Sequence, residues 1–486
     1  MFVEQIYTGC LSQASYFIES NGEAAVIDPL REVDIYLKKA ENRNSKIKYV
    51  FQTHFHADFV SGHLSISEKT NAPIVYGPNA DPKYDCIISA DNEIFVLGDL
   101  KIKLIHTPGH TLESSSYLLF DDKNNQHAIF TGDTLFLGDV GIPDVAQRYQ
   151  GISKEKLAEM LFESINNKIK PLDDNITVYP GHGAGSACGK NMMRVTVDTL
   201  ANQKKVNYSL NGKFSKIDFA KELVKDLPEP PAYFPQNVKL NRDGYVGIDK
   251  ILKNNLKNLT ADYVYNKIKS DDVIVLDTRN PSDYCNEHIP GSIFIGLNGR
   301  FAPWVGEILK DINQEIILIV EEGKEEEAIT RLSRVGFDNC LGYLDSGIES
   351  WKTAGYSTES IRSINPKQFI NESSPNSQII DVRDKSELGI RVVVIGIEVG
   401  ELRKITVEVK IHGSHRTVTL FGDDNFGDVT RLFQQGIVEF DAVLEFIFSF
   451  VVAPRRLVSL QIVFFTEDEH DDVGILLDRS RFAEVR

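Results

Sequence analysis

The sequence predicts an α/β protein with more than one domain. Short β-type runs alternate with helical stretches through the first 360 residues, a pattern typical of layered α/β domains. The chain has 486 residues, which is too long for one compact domain, and 42% of them are hydrophobic, which is enough for several cores. After residue 390 β-branched runs dominate, so we expect a β-rich segment of unknown fold over 390–486.

The N-terminal region contains four predicted strands, each followed by a loop rich in His, Asp and Gly. The strands span 47–52, 101–105, 127–130 and 176–179, and a helix is predicted over 154–167. The loops that follow read THFHADFVSGH (53–63), TPGHTLESSSY (107–117), GDTLFLGDVGIPD (132–144) and YPGHGAGSACGK (179–190). Several strands of one sheet can direct such loops to one rim, which brings together side chains that are distant in sequence.

These four loops together indicate a metal site. A single His is weak evidence, because it is more often a surface or hydrogen-bonded residue, but four such motifs at strand ends make that explanation improbable. The Gly and Pro residues beside the candidate ligands support this interpretation, since they shape loops that let the backbone approach a metal.

The motif set resembles the metallo-β-lactamase superfamily, whose signature is HxHxDH, a lone His, a bridging Asp and a last His. Here the first motif holds His54, His56 and Asp58, and Phe59 stands where the signature has its final His. In two-metal hydrolases of the superfamily that His helps to hold the second ion, so its loss favours a mononuclear centre. The resemblance implies an αββα sandwich over residues 1–240, with a Pro-rich segment at 226–240 that wraps the domain as an ordered linker.

A closer resemblance is to the persulfide dioxygenase branch, whose bacterial fusion members share the wording HADFVSG, TPGHT, GDT and HGAGSACGK. It implies that His54, His110 and Asp133 bind one Fe(II) per chain, with zinc as the alternative metal. Two His and one carboxylate form the facial triad of non-heme iron oxygenases. Such a triad leaves coordination positions free for reactants, which a closed four-ligand zinc site does not.

Three further side chains, His56, Asp58 and His182, are expected to support the ligands by hydrogen bonding. The alternative for them is that they remain from a second metal site. Family members often have GRPD at 141–144, with an Arg that is thought to help bind the anionic part of the substrate. This chain has Ile142 there, which puts the identity of the thiol carrier in doubt.

A substrate pocket is expected beside the last motif. Tyr179 and the loop 183–190 are the candidates to line it, with Ser186, Cys188 and Lys190 as the polar or reactive groups. Cys188 is either a reactive thiol or, more in keeping with ordinary cysteines, a packed and inert one.

Residues 255–360 resemble a rhodanese domain through VIVLDTRNPSDYCNEHIPGSI and GYLDSGIESW. Strands are predicted over 273–276 and 315–320, and a helix over 325–335. An active rhodanese has a Cys that opens a CxxGxRS loop, but Val320 takes the Cys position here and Glu325 the Arg position. Cys285 lies outside that loop and is interpreted as structural. We therefore predict a domain without sulfur-transfer activity that serves as a scaffold or in dimerisation.

The remaining sequence starts a second rhodanese-like unit over 361–389, through IIDVRDKSE at 379–387. The cysteine loop of such a unit does not follow, because the chain has no Cys after Cys340. Residues 390–486 carry no motif of the earlier kind, and the apolar stretch 442–453 is interpreted as a buried element.

Bulk properties exclude several classes of function. The net charge of −17 disfavours nucleic-acid binding, because an acidic surface repels phosphate backbones. The N-terminus does not read as a signal peptide, and the stretch 442–453 is too short to span a bilayer. Five scattered cysteines without a CxxC favour a reducing cytoplasm.

The resemblance implies an enzyme that oxidises a low-molecular-weight thiol persulfide with O2 to sulfite and thiol, as in sulfide detoxification, and that forms a homo-oligomer. One alternative is a zinc thioester hydrolase of the glyoxalase II type with two metals per chain. Another is a non-catalytic protein that binds a sulfur carrier.

Overall fold

A computed structural model of the chain describes residues 1–143, 151–227, 230–270, 272–374, 390–393, 397–399, 403–411 and 414–421. The described residues up to Arg362 form one unit, and a second unit begins at Ser363. None of the helices among the described residues is long and apolar enough to cross a membrane.

Two six-stranded sheets form the N-terminal domain. The first has the order β1-β2-β3-β4-β5-β6 and consists of β1 (Phe2–Thr8), β2 (Gln13–Ser20), β3 (Glu23–Ile27), β4 (Lys46–Phe51), β5 (Ile74–Tyr76) and β6 (Ile87–Ile88). The second has the order β12-β11-β10-β9-β8-β7 and consists of β7 (Ile94–Leu97), β8 (Leu100–His106), β9 (Ser115–Phe120), β10 (Gln126–Gly132), β11 (Thr177–Pro180) and β12 (Asp198–Thr199). The four strands expected before the metal motifs are confirmed as β4, β8, β10 and β11.

Alternation of side chains explains how the sheets bury their inner faces. In β8, Leu100, Ile102 and Leu104 are buried between the sheets, while Lys101 on the opposite face is exposed. The aromatic residues Tyr16 and Phe130 fill the same core with ring centroids 4.8 Å apart.

Helices cover the outer face of each sheet. They are α1 (Asp34–Asn42), α2 (His63–Thr70), α3 (Lys154–Ser164), α4 (Leu200–Val206) and α5 (Lys216–Val224). Tyr36 of α1 and Ile66 of α2 pack on the first sheet, and Leu161 of α3 and Phe219 of α5 pack on the second. The N-terminal domain is therefore the expected αββα sandwich.

The Pro-rich segment at 226–240 becomes helical in its second half. Helix α6 (Phe234–Asp243) begins with a Pro in its first turn, where the missing N–H has no intrahelical partner to lose. It is followed by α7 (Ile248–Asn255). Residues 228 and 229 lie outside the described part of the chain.

A five-stranded parallel sheet with the order β13-β17-β16-β14-β15 forms the next domain. Its strands are β13 (Asn258–Leu259), β14 (Val273–Asp277), β15 (Ile293–Phe294), β16 (Glu315–Ile319) and β17 (Cys340–Leu344). Its helices are α8 (Ala261–Ser270), α9 (Pro281–Asn286), α10 (Phe301–Leu309), α11 (Glu325–Arg334) and α12 (Gly347–Thr353). The predicted strands at 273–276 and 315–320 and the helix at 325–335 are confirmed.

The second unit contains α13 (Pro366–Glu372) and an antiparallel sheet in which β20 (Arg403–Ile411) pairs with β18 (Ile390–Val393), β19 (Ile397–Val399) and β21 (Ser414–Phe421). These strands lie in the part of the 390–486 segment that the structure describes, which ends at residue 421. The motif at 379–387 and the apolar stretch 442–453 lie outside the described residues.

Candidate metal centre

The centre lies at one rim of the sandwich, where strands end. Strands β3 and β4 are parallel, as are β10 and β11, so each pair presents its carboxyl ends at the same edge. His54 follows β4, Asp133 follows β10, and His182 follows β11. His110 arrives on the loop between the antiparallel strands β8 and β9.

Three of these side chains converge as the sequence predicts. His54, His110 and Asp133 are buried and offer ligand atoms that all lie within 4.8 Å of one another. The Asp133 Oδ2 atom is 3.5 Å from His110 Nε2 and 3.9 Å from His54 Nε2. Ligand atoms that each bind one ion at about 2.1 Å are themselves roughly 3 to 3.5 Å apart, so the set needs little adjustment to share an ion.

The outer ring nitrogens of both His ligands are held by hydrogen bonds. Thr53 Oγ1 is 2.9 Å from His54 Nδ1 and donates its own proton to Asp28 Oδ2 at 2.8 Å, so it accepts from the imidazole. His110 Nδ1 donates to the Ile142 carbonyl at 2.7 Å. Each imidazole is thereby fixed in the tautomer that presents a bare Nε2 to the centre.

Burial prepares these groups for a cation. It lowers the pKa of His54 well below its ordinary value, with the neighbouring imidazoles adding to the effect, and burial also lowers the pKa of His110. Neutral imidazoles are the form that binds metals. Both Asp133 carboxylate oxygens are buried without a hydrogen-bond donor among the described residues, which is costly unless a cation compensates them.

His56 lies beside the three-residue set, with its ring centroid 4.3 Å from that of His54. Its Nε2 atom is 3.1 Å from Asp28 Oδ1, and its ring packs on Phe59 with centroids 4.4 Å apart. Burial lowers the pKa of His56, but the Asp28 carboxylate more than offsets this and the net shift is upward. The sequence reasoning missed Asp28, although an Asp directly after a buried strand, here β3, is the same signal that marked the other motifs.

The supporting residues form a second group beside the first. Ligand atoms of His56, Asp58 and His182 lie within 4.8 Å of one another. His182 Nδ1 donates to the Ser12 carbonyl at 3.2 Å, while its Nε2 lies 3.4 Å from Asp58 Oδ2 and 3.6 Å from Asp133 Oδ1. Burial raises the pKa of Asp58, which favours a protonated carboxyl in the absence of a metal.

Cys188 lies at the centre itself. Its Sγ atom is within 4.8 Å of ligand atoms of Asp133 and His182, and the side chain is buried. Burial and the carboxylates of Asp58 and Asp133 raise the pKa of the thiol well above its usual value. These neighbours favour the neutral thiol in the absence of a metal.

The other predicted pocket residues are held elsewhere. The Tyr179 ring stacks on Phe130 at 5.2 Å and packs with the core between the sheets. Ser186 Oγ accepts from the Cys188 backbone N–H at 3.1 Å. The exposed Lys190 ammonium donates to backbone carbonyls around the end of α5, so these three do not join the metal-binding side chains.

The loop that would carry a rhodanese cysteine follows β16. Val320 is buried at the cysteine position, and Glu321 and Glu322 are exposed beside it. Glu325 begins α11 in place of the anion-binding Arg. Cys285 lies in α9, outside this loop. No thiol therefore occupies the sulfur-transfer position.

Profile comparisons assign the two domains. The Metallo-beta-lactamase superfamily matches residues 8–85, and the Rhodanese-like domain matches residues 260–354. A cytoplasmic hydroxyacylglutathione hydrolase from Arabidopsis thaliana is 31% identical over 242 residues, which is 49% of this chain and 84% of that protein. A hydroxyacylglutathione hydrolase from Pelagibacter ubique is 28% identical over 232 residues, or 47% of this chain and 86% of that one.

Among solved structures, a metallo-beta-lactamase from Staphylococcus aureus subsp. aureus COL is 32% identical with a TM-score of 0.62, covering 70% of this chain and 98% of that one. ETHE1 from Myxococcus xanthus is 28% identical, and the match covers 50% of this chain and 98% of that one with a TM-score of 0.43. The sandwich, the convergent His and Asp side chains and these matches lead to one conclusion: the chain belongs to the metallo-beta-lactamase superfamily of enzymes and carries a rhodanese-like domain.

Proposed function

We propose that the protein is an iron(II)-dependent dioxygenase that oxidises the persulfide of a low-molecular-weight thiol. The observation that carries the proposal is the three-residue set of His54, His110 and Asp133, with Phe59 in the place of a further His ligand. Two imidazoles and one carboxylate are the ligands of non-heme iron oxygenases. In a two-metal hydrolase His56 and a His at the Phe59 position would add to the ligands.

The proposed reaction balances as RSSH + O2 + H2O → RSH + H2SO3. Four electrons pass from the two sulfur atoms to O2, both oxygen atoms of O2 go to the terminal sulfur, and water supplies the third oxygen as the S–S bond breaks. When bound, iron(II) would bring together the two substrates and make their spin-forbidden reaction feasible.

The residues around the ligands have separate tasks in this scheme. The buried Asp58 and His182 lie beside Asp133 and are the pair within reach to take the proton of the attacking water. Cys188 lies next to Asp133 and His182 and occupies part of the space beside them.

The nature of the thiol carrier depends on the position of Ile142. The Ile142 side chain is buried, and the backbone carbonyl of this residue accepts a hydrogen bond from His110. An isoleucine carries no charge, so it cannot bind an anionic part of the substrate as an Arg would. We therefore expect the protein to show little preference for thiol carriers that have carboxylates over carriers that lack them.

The second candidate is a thioester hydrolase of the glyoxalase II type. Two observations favour it: the curated relatives described above are named hydroxyacylglutathione hydrolases, and His56, Asp58 and His182 lie close enough to hold a second ion. Against it stands Phe59, an aromatic ring that cannot bind a metal.

Metal analysis and two substrate assays separate the candidates. Protein reconstituted with iron without oxygen should hold one iron per chain and consume O2 with glutathione persulfide or coenzyme A persulfide. Two zinc ions per chain and hydrolysis of lactoylglutathione would support the hydrolase instead. Persulfide binding without O2 uptake or hydrolysis would indicate a non-catalytic carrier-binding protein.

A further inference from the structure

The loop that follows His54 is fixed by a residue far along the chain. The buried amide of Asn241, in α6, donates from Nδ2 to the carbonyls of His56 and Phe59, both at 2.8 Å. Its Oδ1 atom accepts from the Ser61 N–H at 2.9 Å. One side chain thus makes three hydrogen bonds to the segment 56–61, which carries His56 and Asp58.

The rhodanese-like domain holds the same segment from its other side. The Val60 N–H donates to the carbonyl of Arg334 at 2.7 Å, at the end of α11. Phe59 is fully buried in a hydrophobic cluster that includes Phe301 and Leu332 of that domain. The segment therefore takes part of its conformation from contacts outside the αββα sandwich, in addition to the bond from Ser61 Oγ to the Pro29 carbonyl at 3.0 Å.

Further contacts connect α6 and the rhodanese-like domain to the sandwich. The fully buried guanidinium of Arg31 makes a bidentate ion pair with Asp338, four residues after Arg334, with both N–O distances at 2.7 Å. Tyr84 Oη donates to the Asn241 carbonyl at 2.7 Å. Bidentate pairs and buried hydrogen bonds restrict geometry as well as contributing energy.

We infer that Asn241 is a positioning residue for the metal centre, and that the rhodanese-like domain serves as the second support of the loop Asn241 binds. The rhodanese-like domain can support this loop even though Val320 takes the place of its catalytic Cys. The inference rests on the metal centre of the proposed function but not on the dioxygenase reaction, because loop geometry affects bound metal whichever substrate is used.

The test compares two variants at position 241 with a matched control. Asn241→Asp keeps the size and the acceptor for Ser61 but removes both donors, and Asn241→Ala removes all three bonds. Asn255→Ala is the control, because Asn255 is also a buried amide that donates to a backbone carbonyl, that of Asp338 at 2.8 Å, without touching the loop.

The readouts are Fe(II) affinity by chelator competition, the visible spectrum of the cobalt(II)-substituted protein, and thermal unfolding. Both position-241 variants should bind Fe(II) about tenfold more weakly or worse, as expected when support of a metal site is lost, and should alter the cobalt spectrum. Asn255→Ala should lower the unfolding temperature while leaving affinity and spectrum as in the parent.

The inference is overturned if folded Asn241→Asp protein retains the parent's affinity and cobalt spectrum, or if Asn255→Ala changes them equally. Should Asn241→Ala fail to fold, Asn241→Asp still decides the matter. Failure of the proposed dioxygenase function would appear separately, as absence of O2 uptake by the fully metal-loaded parent protein.

Discussion

His63 should make the stability of this protein strongly dependent on pH. The side chain begins α2 and is fully buried, with Nε2 2.7 Å from Tyr84 Oη and Nδ1 without a hydrogen-bond partner in the described part of the chain. Burial lowers the pKa of His63 from its ordinary 6.5 to about 3. The folded protein therefore keeps this imidazole neutral at pH values where the unfolded chain protonates it.

The sign and size of the effect follow from proton linkage. In the unfolded state His63 binds a proton as the pH falls below its ordinary pKa of 6.5, whereas in the folded state it stays neutral until the pH approaches about 3. The free energy of unfolding therefore falls as the pH falls through this interval. At about 1.4 kcal/mol for each pH unit, His63 should remove about 2 kcal/mol of stability between pH 7 and pH 5.

Urea unfolding of the parent and of His63→Phe at pH 7 and pH 5 measures this contribution. Between pH 7 and pH 5 the free energy of unfolding of the variant should fall by about 2 kcal/mol less than that of the parent. Any loss of stability that the substitution causes equally at both pH values does not affect this comparison. His127→Phe, at an exposed position, should lose as much as the parent. Equal losses in the parent and His63→Phe would refute the reasoning, because the other buried His residues are common to both.

Three further substitutions test the centre and the contacts around it. His110→Gln should reduce bound iron at least tenfold by metal analysis, and a full iron complement would contradict its assignment as a ligand. Asp338→Ala leaves the buried Arg31 charge with only carbonyl and aromatic partners, so the free energy of unfolding should fall by about 2 to 3 kcal/mol. The control is Glu163→Ala, which breaks an exposed ion pair with Lys216 and should lower the free energy of unfolding by about 0.5 kcal/mol or less. Phe59→His should lower stability by about 2 to 4 kcal/mol and raise metal content from one ion toward two, and an unchanged metal content would show that Phe59 does not set the number of ions.

Local patterns in the sequence predicted a layered α/β domain with a metal site, and the family resemblance added the αββα arrangement and the candidate ligands. Strand residues such as Leu100 and Ile102 alternate with lysines, and each candidate ligand lies within a few residues of the end of a strand. Because the carboxyl ends of paired parallel strands meet at one edge, the closeness of Asp133 and His182 could be anticipated without coordinates. His54 comes from the other sheet, so the expectation that one sheet directs all the motif loops was wrong, and the packing of the two sheets brings His54 to the same rim. The absence of a rhodanese cysteine could be read at Val320 alone.

Only the tertiary structure decided which groups each side chain meets. The fold adds Asp28, 3.1 Å from His56 Nε2, as a neighbour that the sequence did not indicate, and it stacks the Tyr179 ring on Phe130. Asn241 reaches the His56 loop across 185 residues of sequence. Such contacts depend on how separate elements pack, and no periodicity or motif in the sequence predicts which residues so far apart along the chain will meet. The sequence by itself therefore indicated the donor set, while packing against α6 and the rhodanese-like domain determined how the adjacent segment 56–61, with His56 and Asp58, is held.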